Sequence, residues 1–147
     1  MIRQRRRASE VEIKSLTAWS ASRMMWPLVR YHACNVLDAG DSVWNSGKFA
    51  PVSIRVKLTD GPMYVTRLEM QVEMSPTLRG HVHHEIYAGK YTGTMREVGC
   101  VKGLVSHGSW IHVAVKEEVQ YLEIHTLDSP SFVAWRRIRV FGHQSES

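Results

Sequence analysis

Apolar and polar residues alternate through the last long stretch of the chain, Ser129 to Gly142, which reads SPSFVAWRRIRVFG. After a Ser-Pro turn, Ile138 and Val140 alternate with Arg137 and Arg139, which is the period of a half-buried strand. Because this strand comes last, its pairing partners must lie far back in the sequence. We therefore predict a central strand around which the earlier strands form a sandwich or barrel.

The same alternation recurs earlier in the chain. Ile54, Val56 and Leu58 share one face of a predicted strand that ends at the turn Asp60-Gly61-Pro62. Further strands are predicted at Val11 to Leu16, Leu68 to Met74, Val82 to Ala88, Ile111 to Val115 and Leu122 to Ile124. Seven or eight strands separated by turns, with no convincing helix, predict an all-β antiparallel sandwich.

Three segments lack this regularity. Thr17 to Asp41 is predicted to be a loop region rich in large apolar groups, including the cluster Met24-Met25-Trp26. Asn35 to Pro51 is dense in Asp, Asn, Ser and Gly, which predicts a long ordered loop. Lys90 to Gly108 is rich in glycine, and only one irregular strand is predicted there, at Arg96 to Val101.

Composition narrows the class of protein. A chain of 147 residues with 44% apolar and 22% charged residues fits one globular domain, predicted over residues 11–142 between a basic tail at 1–10 and a short tail at 143–147. No run reaches the roughly 18 to 20 apolar residues that span a bilayer. The start of the chain does not read as a secretory signal, so a cytoplasmic location is the default expectation.

Charge and cysteine content add two expectations. The net charge of +5 owes much to Arg3, Arg5, Arg6 and Arg7, which favour a solvated tail over an RNA-, DNA- or acidic-protein-binding arm. Cys34 and Cys100 form neither a disulfide framework nor a zinc motif, so both are predicted to be free thiols.

Five motifs follow one another along the chain: NVLDAGDSVWNSGKFAP, SIRVKL, VEMSPTLRGHVHHEIYAG, WIHV and the terminal SPSFVAWRRIRVFG. In this order they resemble the discoidin, or coagulation-factor type C, family of galactose-binding-like domains, and the likeness covers about Val36 to Gly142. The resemblance implies an eight-stranded jelly-roll sandwich whose loops at one end bind glycans, lipid head groups or proteins. It implies no catalysis and does not specify the ligand.

The chain departs from that family mainly at a calcium site that many family members have. The resemblance implies that the acidic loop Leu37 to Asp41 would hold the ion together with an acidic residue of the last strand, where this chain has Arg137. Calcium prefers six to eight oxygen ligands, so a cation in its shell is unfavourable. We expect the Arg137 guanidinium to replace the ion and bridge Asp38 or Asp41 to the last strand, although those two carboxylates alone could still hold a metal.

The predicted binding loops are Thr17 to Trp26, Trp44 to Lys48 and Arg79 to His81. Trp19 and Arg23 offer a stacking face and a hydrogen-bonding fork, and Trp26 offers an apolar tip for a partner. The full set of candidate ligand-binding residues is Trp19, Arg23, Trp26, Trp44, Arg79 and His81. For three of the tryptophans, Trp44, Trp110 and Trp135, core packing is the simpler interpretation.

His81, His83 and Glu85 alternate on a predicted strand and would face the same side as possible metal ligands. This HxHxE pattern also resembles the metal motif of cupins, but the spacing fits poorly. His84, on the opposite face, is predicted to be buried and tied to a backbone carbonyl. No nucleophile elbow or phosphate-binding glycine loop is present.

The sequence favours a non-catalytic binding module that recognises a carbohydrate or a protein through loops at one end of the sandwich. The first alternative is a structural or assembly subunit that forms an oligomer through Met24 to Trp26. The second is a cupin-like metal-dependent enzyme. The third is a nucleic-acid binder that uses the N-terminal arginines.

Overall fold

Ten antiparallel strands form two facing sheets in the computed structural model, which describes residues 9–21, 32–38, 40, 42–74 and 79–144. The strands are β1 Val11–Ile13, β2 Leu16–Trp19, β3 Trp44–Asn45, β4 Val52–Leu58, β5 Met63–Val72, β6 Arg79–Gly89, β7 Arg96–Ser106, β8 Trp110–Val119, β9 Tyr121–Asp128 and β10 Ala134–His143. Two short 3₁₀ helices span Ala33–Leu37 and Thr92–Thr94. No helix in the described residues is long and apolar enough to cross a membrane.

The first sheet has the order β1-β10-β5-β8, with β3 paired to the beginning of β10. The second sheet has the order β2-β4-β9-β6-β7. β10 lies between β1 and β5, with Val11 opposite Gly142 and Ile138 opposite Met70. The prediction that the last strand is central and pairs with distant segments is confirmed.

The core lies between the sheets and is built from the alternating apolar positions. Ile54, Val56 and Leu58 of β4 are each 1% exposed, because their side chains face the opposite sheet. Trp44 and Trp135 are also fully buried, which confirms their interpretation as core residues. The same interpretation was wrong for Trp110, which starts β8 at the edge of its sheet and is 38% exposed.

The N-terminal part of the sandwich differs from the prediction. A single strand was expected from Val11 to Leu16, but β1 ends at Ile13 and β2 begins at Leu16 in the other sheet. The chain crosses between the sheets at Lys14 and Ser15. The expected loop from Thr17 therefore begins as a strand, because Leu16 and Ala18 pair with Leu58 and Val56 of β4.

Two further segments are more regular than predicted. β7 extends to Ser106, although glycines interrupt its apolar pattern. Gly99 is required there by close packing, because a Cβ atom at this position would lie 2.7 Å from Cγ1 of Val113 in the facing sheet. The expected long loop Asn35 to Pro51 contains the end of a 3₁₀ helix and β3.

One end of the sandwich collects the longer connections. The antiparallel registers bring the end of β2 and the beginnings of β4, β6, β8 and β10 to this side. We call it the loop end, and it includes Trp19 to Ala21, Gly47 to Pro51, His107 to Trp110 and Ser129 to Val133. The opposite end carries Val11, Gly61, Gly89 and His143.

Candidate functional site

The loop end carries most of the exposed apolar surface. Of the eight large apolar side chains that are exposed in the described residues, only Val11 and Tyr91 lie away from this end. The other six, at or next to it, are Trp19, Phe49, Leu104, Trp110, Leu127 and Phe132. Such a concentration of exposed apolar groups on one side marks a surface that contacts a ligand or partner.

Trp19 borders a cavity of about 380 Å³ together with Ser20, Ala21, His32 and Ala33. The indole is 62% exposed because Trp19 ends the edge strand β2 and points away from the core, opposite in direction to the buried Ala18. His32 Nδ1 accepts a hydrogen bond from the backbone N–H of Cys34 at 3.1 Å. In the neutral ring this leaves the proton on Nε2 as a donor. The cavity thus combines an aromatic face with a hydrogen-bond donor.

The sequence-predicted ligand residues do not all meet. Trp19 and His81 are both exposed near the loop end, but they lie on β2 and β6 with β4 and β9 between them. Three strand spacings of about 4.8 Å separate them by roughly 14 Å, so they do not form one compact site. The Arg79 backbone begins β6 at the same end. Arg23 and Trp26, with Met24 and Met25, lie outside the described residues.

Trp44 belongs to the core rather than to a ligand site. Its side chain has no solvent-accessible surface, since β3 places it beneath the beginning of β10. A ring in this position cannot stack on a ligand. Its assignment as a ligand-binding residue was therefore wrong. Within the predicted binding loop Trp44 to Lys48, only Lys48 is exposed.

Asp38 and Arg137 line the same cavity of about 230 Å³, between the first 3₁₀ helix and β10. Neither an ion pair nor a hydrogen bond joins these two described residues. Arg137 Nε is buried without a hydrogen-bond partner. The expected direct bridge from Arg137 to Asp38 is therefore not formed. The alternative bridge to Asp41 involves a residue outside the described ones and stays a prediction.

The HxHxE motif lies on the outer face of β6. Alternate residues on a strand project from the same face about 7 Å apart. Glu85 instead accepts a hydrogen bond from the Tyr87 hydroxyl at 3.3 Å. In the part of the chain that the structure describes, no three His, Cys, Asp or Glu side chains come together as a metal site.

His84 is buried on the inner face of the same strand, as predicted. Its expected partner was wrong, however, because Nδ1 lies 2.8 Å from the hydroxyl oxygen of Thr126 and not near a backbone carbonyl. The ring also packs against Trp135 with 4.8 Å between centroids. Burial, with a smaller contribution from His83, lowers the pKa of His84 from 6.5 to about 4. His84 is therefore a neutral core residue at neutral pH.

The two cysteines are free, as predicted, and the structure shows that both are exposed. Cys34 donates from Sγ to the Ala18 carbonyl oxygen at 3.4 Å, which ties the first 3₁₀ helix to β2. This contact helps to fix one wall of the Trp19 cavity.

A third cavity lies on the outer face of the first sheet and was missed by the sequence analysis. It measures about 450 Å³ and is lined by Glu12, Gly40, Gln71, Trp110, Arg136, Arg137 and Arg139. We call it the arginine groove. The sequence analysis used the run RRIR for its alternation and for the expected bridge from Arg137, whereas the groove depends on a β-bulge. The register between β10 and β5 shifts between Trp135 and Arg137, so that the consecutive residues Arg136 and Arg137 both face the groove.

No protein-family model and no curated protein sequence matches the chain. Its three-dimensional structure does have clear relatives. The family 32 carbohydrate-binding module of Clostridium perfringens NanJ, solved with galactose, superposes with a TM-score of 0.76 at 16% identity, covering 90% of this chain and 99% of the module. Another Clostridium perfringens module, solved with GalNAc-β-1,3-galactose, gives a TM-score of 0.76 at 14% identity over 88% of this chain and 99% of that one.

A chitosan-binding module of a Paenibacillus chitosanase/glucanase is similar as well, with a TM-score of 0.68, 16% identity and coverage of 87% of this chain and 96% of that module. These similarities establish the fold of the chain as a discoidin-like, galactose-binding-like β-sandwich. The resemblance inferred from the sequence motifs is confirmed for the fold.

Proposed function

We propose that this chain is a non-catalytic carbohydrate-binding module that contacts its glycan through the loop end. The observation that carries the proposal is the concentration of exposed apolar and aromatic side chains at this end, next to the Trp19 cavity. The fold supports it, because the similar solved structures include modules in complex with galactose and with GalNAc-β-1,3-galactose.

The Trp19 cavity has the chemistry that a sugar requires. The apolar face of a pyranose ring packs on an aromatic side chain, while its hydroxyl groups need hydrogen-bond partners at the rim. Trp19 supplies the aromatic face, and His32 supplies a donor through Nε2. An open cavity of this size admits one or two sugar units at the end of a chain.

A glycan array of neutral and amino sugars, followed by calorimetric titration of the best hits, tests the proposal. Trp19→Ala is expected to weaken binding about five- to thirtyfold, since stacking on an exposed indole contributes roughly 1 to 2 kcal/mol. Tyr91→Ala is the matched control, because Tyr91 is 70% exposed at the opposite end and its loss should leave binding unchanged. An array without saturable hits, or equal affinity of wild type and Trp19→Ala, would contradict the proposal.

Protein recognition is the second candidate function. Phe49 and Phe132 meet edge to face at the loop end, with 4.9 Å between ring centroids and both rings exposed. Paired exposed aromatics are typical anchors of protein interfaces. A discrete oligomer in light scattering that dissociates on Phe49→Asp would favour this function. An oligomer that dissociates on Trp26→Asp would favour instead the one predicted through Met24 to Trp26.

A further inference from the structure

Arg137 stands apart from the other arginines of the sandwich. Arg55, Arg67, Arg96, Arg136 and Arg139 each lie within 4 Å of a carboxylate oxygen. Among the arginines whose side chains the structure describes, Arg137 alone has no ion pair with a described carboxylate, and its buried Nε has no hydrogen-bond partner. Since an uncompensated guanidinium next to a cavity attracts an anion, the place to look for one is the arginine groove.

The bulge in β10 builds the basic side of this groove. In a regular strand Arg136 would face the core, but the register shift between Trp135 and Arg137 brings it to the outer face beside Arg137. Among the described residues, the one carboxylate within 4 Å of Arg136 is that of Glu73, whose Oε2 lies 3.8 Å from Nε, too far for a hydrogen bond. The two neighbouring guanidinium groups are therefore available to a single oxyanion.

The other lining residues limit the charge of the ligand and give it a place to stack. Arg139 is already bound to Glu12 at 2.6 Å, so it adds little free positive charge. Asp38 lines the adjoining cavity and would repel a densely charged ligand. Trp110 lies beyond Gln71 on the next strand and is 38% exposed, with the guanidinium carbon of Arg139 5.9 Å from its ring centroid. Gln71 is held by its donation to the Gly108 carbonyl oxygen at 3.2 Å.

We propose that the arginine groove is a second binding site, specific for a saccharide unit that carries a carboxylate or a sulfate ester. Arg137 and Arg136 bind the oxyanion by charge-assisted hydrogen bonds, and the sugar ring packs on Trp110. The groove lies on the first sheet, whereas Trp19 belongs to the second. The two sites therefore recognise different parts of a glycan, and this one is independent of the proposed neutral-sugar site.

Calorimetric titration of the full chain tests the second site, with oligogalacturonate as the carboxylate ligand, a heparin oligosaccharide as the sulfate ligand and a neutral galactan oligosaccharide as the reference. Arg137→Gln is expected to weaken acidic-ligand binding at least tenfold, and Arg137→Lys less, because the charge remains but the planar fork is lost. Trp110→Ala is expected to weaken it several-fold. Circular dichroism of each variant checks that it folds.

Arg96→Gln is the matched control, because Arg96 is an exposed arginine of β7 outside the groove. It removes the same charge and is expected to leave the affinity within twofold of the wild type. Equal weakening by Arg96→Gln and Arg137→Gln would mean diffuse charge attraction and overturn the proposal. The proposal would also be overturned if the protein bound single-stranded RNA more tightly than both acidic saccharides and if Arg137→Gln abolished that RNA binding.

Trp19→Ala separates the two sites. If the variant keeps its affinity for the acidic oligosaccharide while losing neutral glycans, both proposals are supported. If acidic binding depends on Trp19 and not on Arg137, the second site is wrong and the loop-end site stands. If acidic binding depends on Arg137 and no neutral glycan binds, the second site stands and the loop-end proposal fails.

Discussion

The imidazole Nδ1 of His84 lies 2.8 Å from the hydroxyl oxygen of Thr126, and this contact joins β6 to β9 inside the core. Because burial lowers the pKa of His84 to about 4, the folded protein keeps the ring neutral where the unfolded chain, with a pKa near 6.5, binds a proton. The contribution of the neutral His84 ring to the free energy of unfolding should therefore be fully present above pH 6.5 and should be lost as the pH drops towards 4. The loss expected from this residue is about 3 kcal/mol.

Urea unfolding measured from pH 7.5 to 4.5 checks this expectation. His84→Gln retains a hydrogen-bonding group but cannot titrate, so its stability should be lower at pH 7.5 and should change less with pH than that of the wild type. Parallel pH profiles for the two proteins would contradict the assignment.

Truncation of Trp44 should lower the stability much more than truncation of Trp19. Trp44→Ala removes a fully buried indole and is expected to lower the free energy of unfolding by about 3 to 5 kcal/mol, because the core is left with a large cavity. Trp19→Ala removes an exposed ring and should change stability by about 0.5 kcal/mol or less. Denaturant unfolding of both variants, followed by circular dichroism, measures the difference. Similar losses in the two variants would refute the separation of core from binding surface.

Gly142 should not tolerate a side chain. It lies next to a register shift between β10 and β5, where an added Cβ would overlap the backbone carbonyl oxygen of Tyr64. Backbone atoms of a central strand cannot move aside easily, so Gly142→Ala is expected to cost about 2 kcal/mol or more. Gly93→Ala provides the control, because its Cβ would meet no atom within 4 Å. Thermal unfolding of the two variants measures the difference, and equal melting temperatures would contradict the expectation that Gly142 cannot accept a side chain.

Arg55 and Glu123 form a cross-strand pair on the outer face of the second sheet. Both Nε and Nη2 of Arg55 donate to Glu123 Oε2, at 3.1 and 3.0 Å, while His125 Nε2 lies 3.0 Å from Oε1. Arg55→Met would leave the largely buried Glu123 carboxylate with fewer partners, and we expect a loss of about 1.5 to 3 kcal/mol. The double variant Arg55→Met/Glu123→Gln should recover part of that loss. A double-mutant cycle with no coupling would show that the pair contributes little.

Most of the sandwich could be predicted because its strands repeat every two residues. Ile54, Val56 and Leu58 reveal β4 directly, and the same pattern reveals β5, β8 and β10. β2 escaped because Thr17 and Ala18 carry little apolar contrast, and its strand conformation comes from pairing with β4. The full length of β7 was not predicted either, because its glycines suggested that the strand ends early. Gly99 instead allows close packing, and Gly103 has a φ of 132° within the strand.

The candidate sites were only partly predictable. The exposure of Trp19 followed from its place in an apolar segment outside the recognised strands, but the burial of Trp44 depends on β3, which has only two residues. The arginine groove could not be foreseen, because it requires a bulge that places Arg136 on the same side as Arg137. It also requires the pairing of Gln71 with Trp110 across two strands that are distant in sequence.

The pairing of Val11 with Gly142 has a consequence for how the sandwich can be attached to something else. Polypeptide joined before β1 and after β10 would leave from the same side, opposite the Trp19 cavity. The sandwich could then be appended to either end of another domain, or inserted into one of its surface turns, and in each arrangement the loop end would point outward, away from the point of attachment.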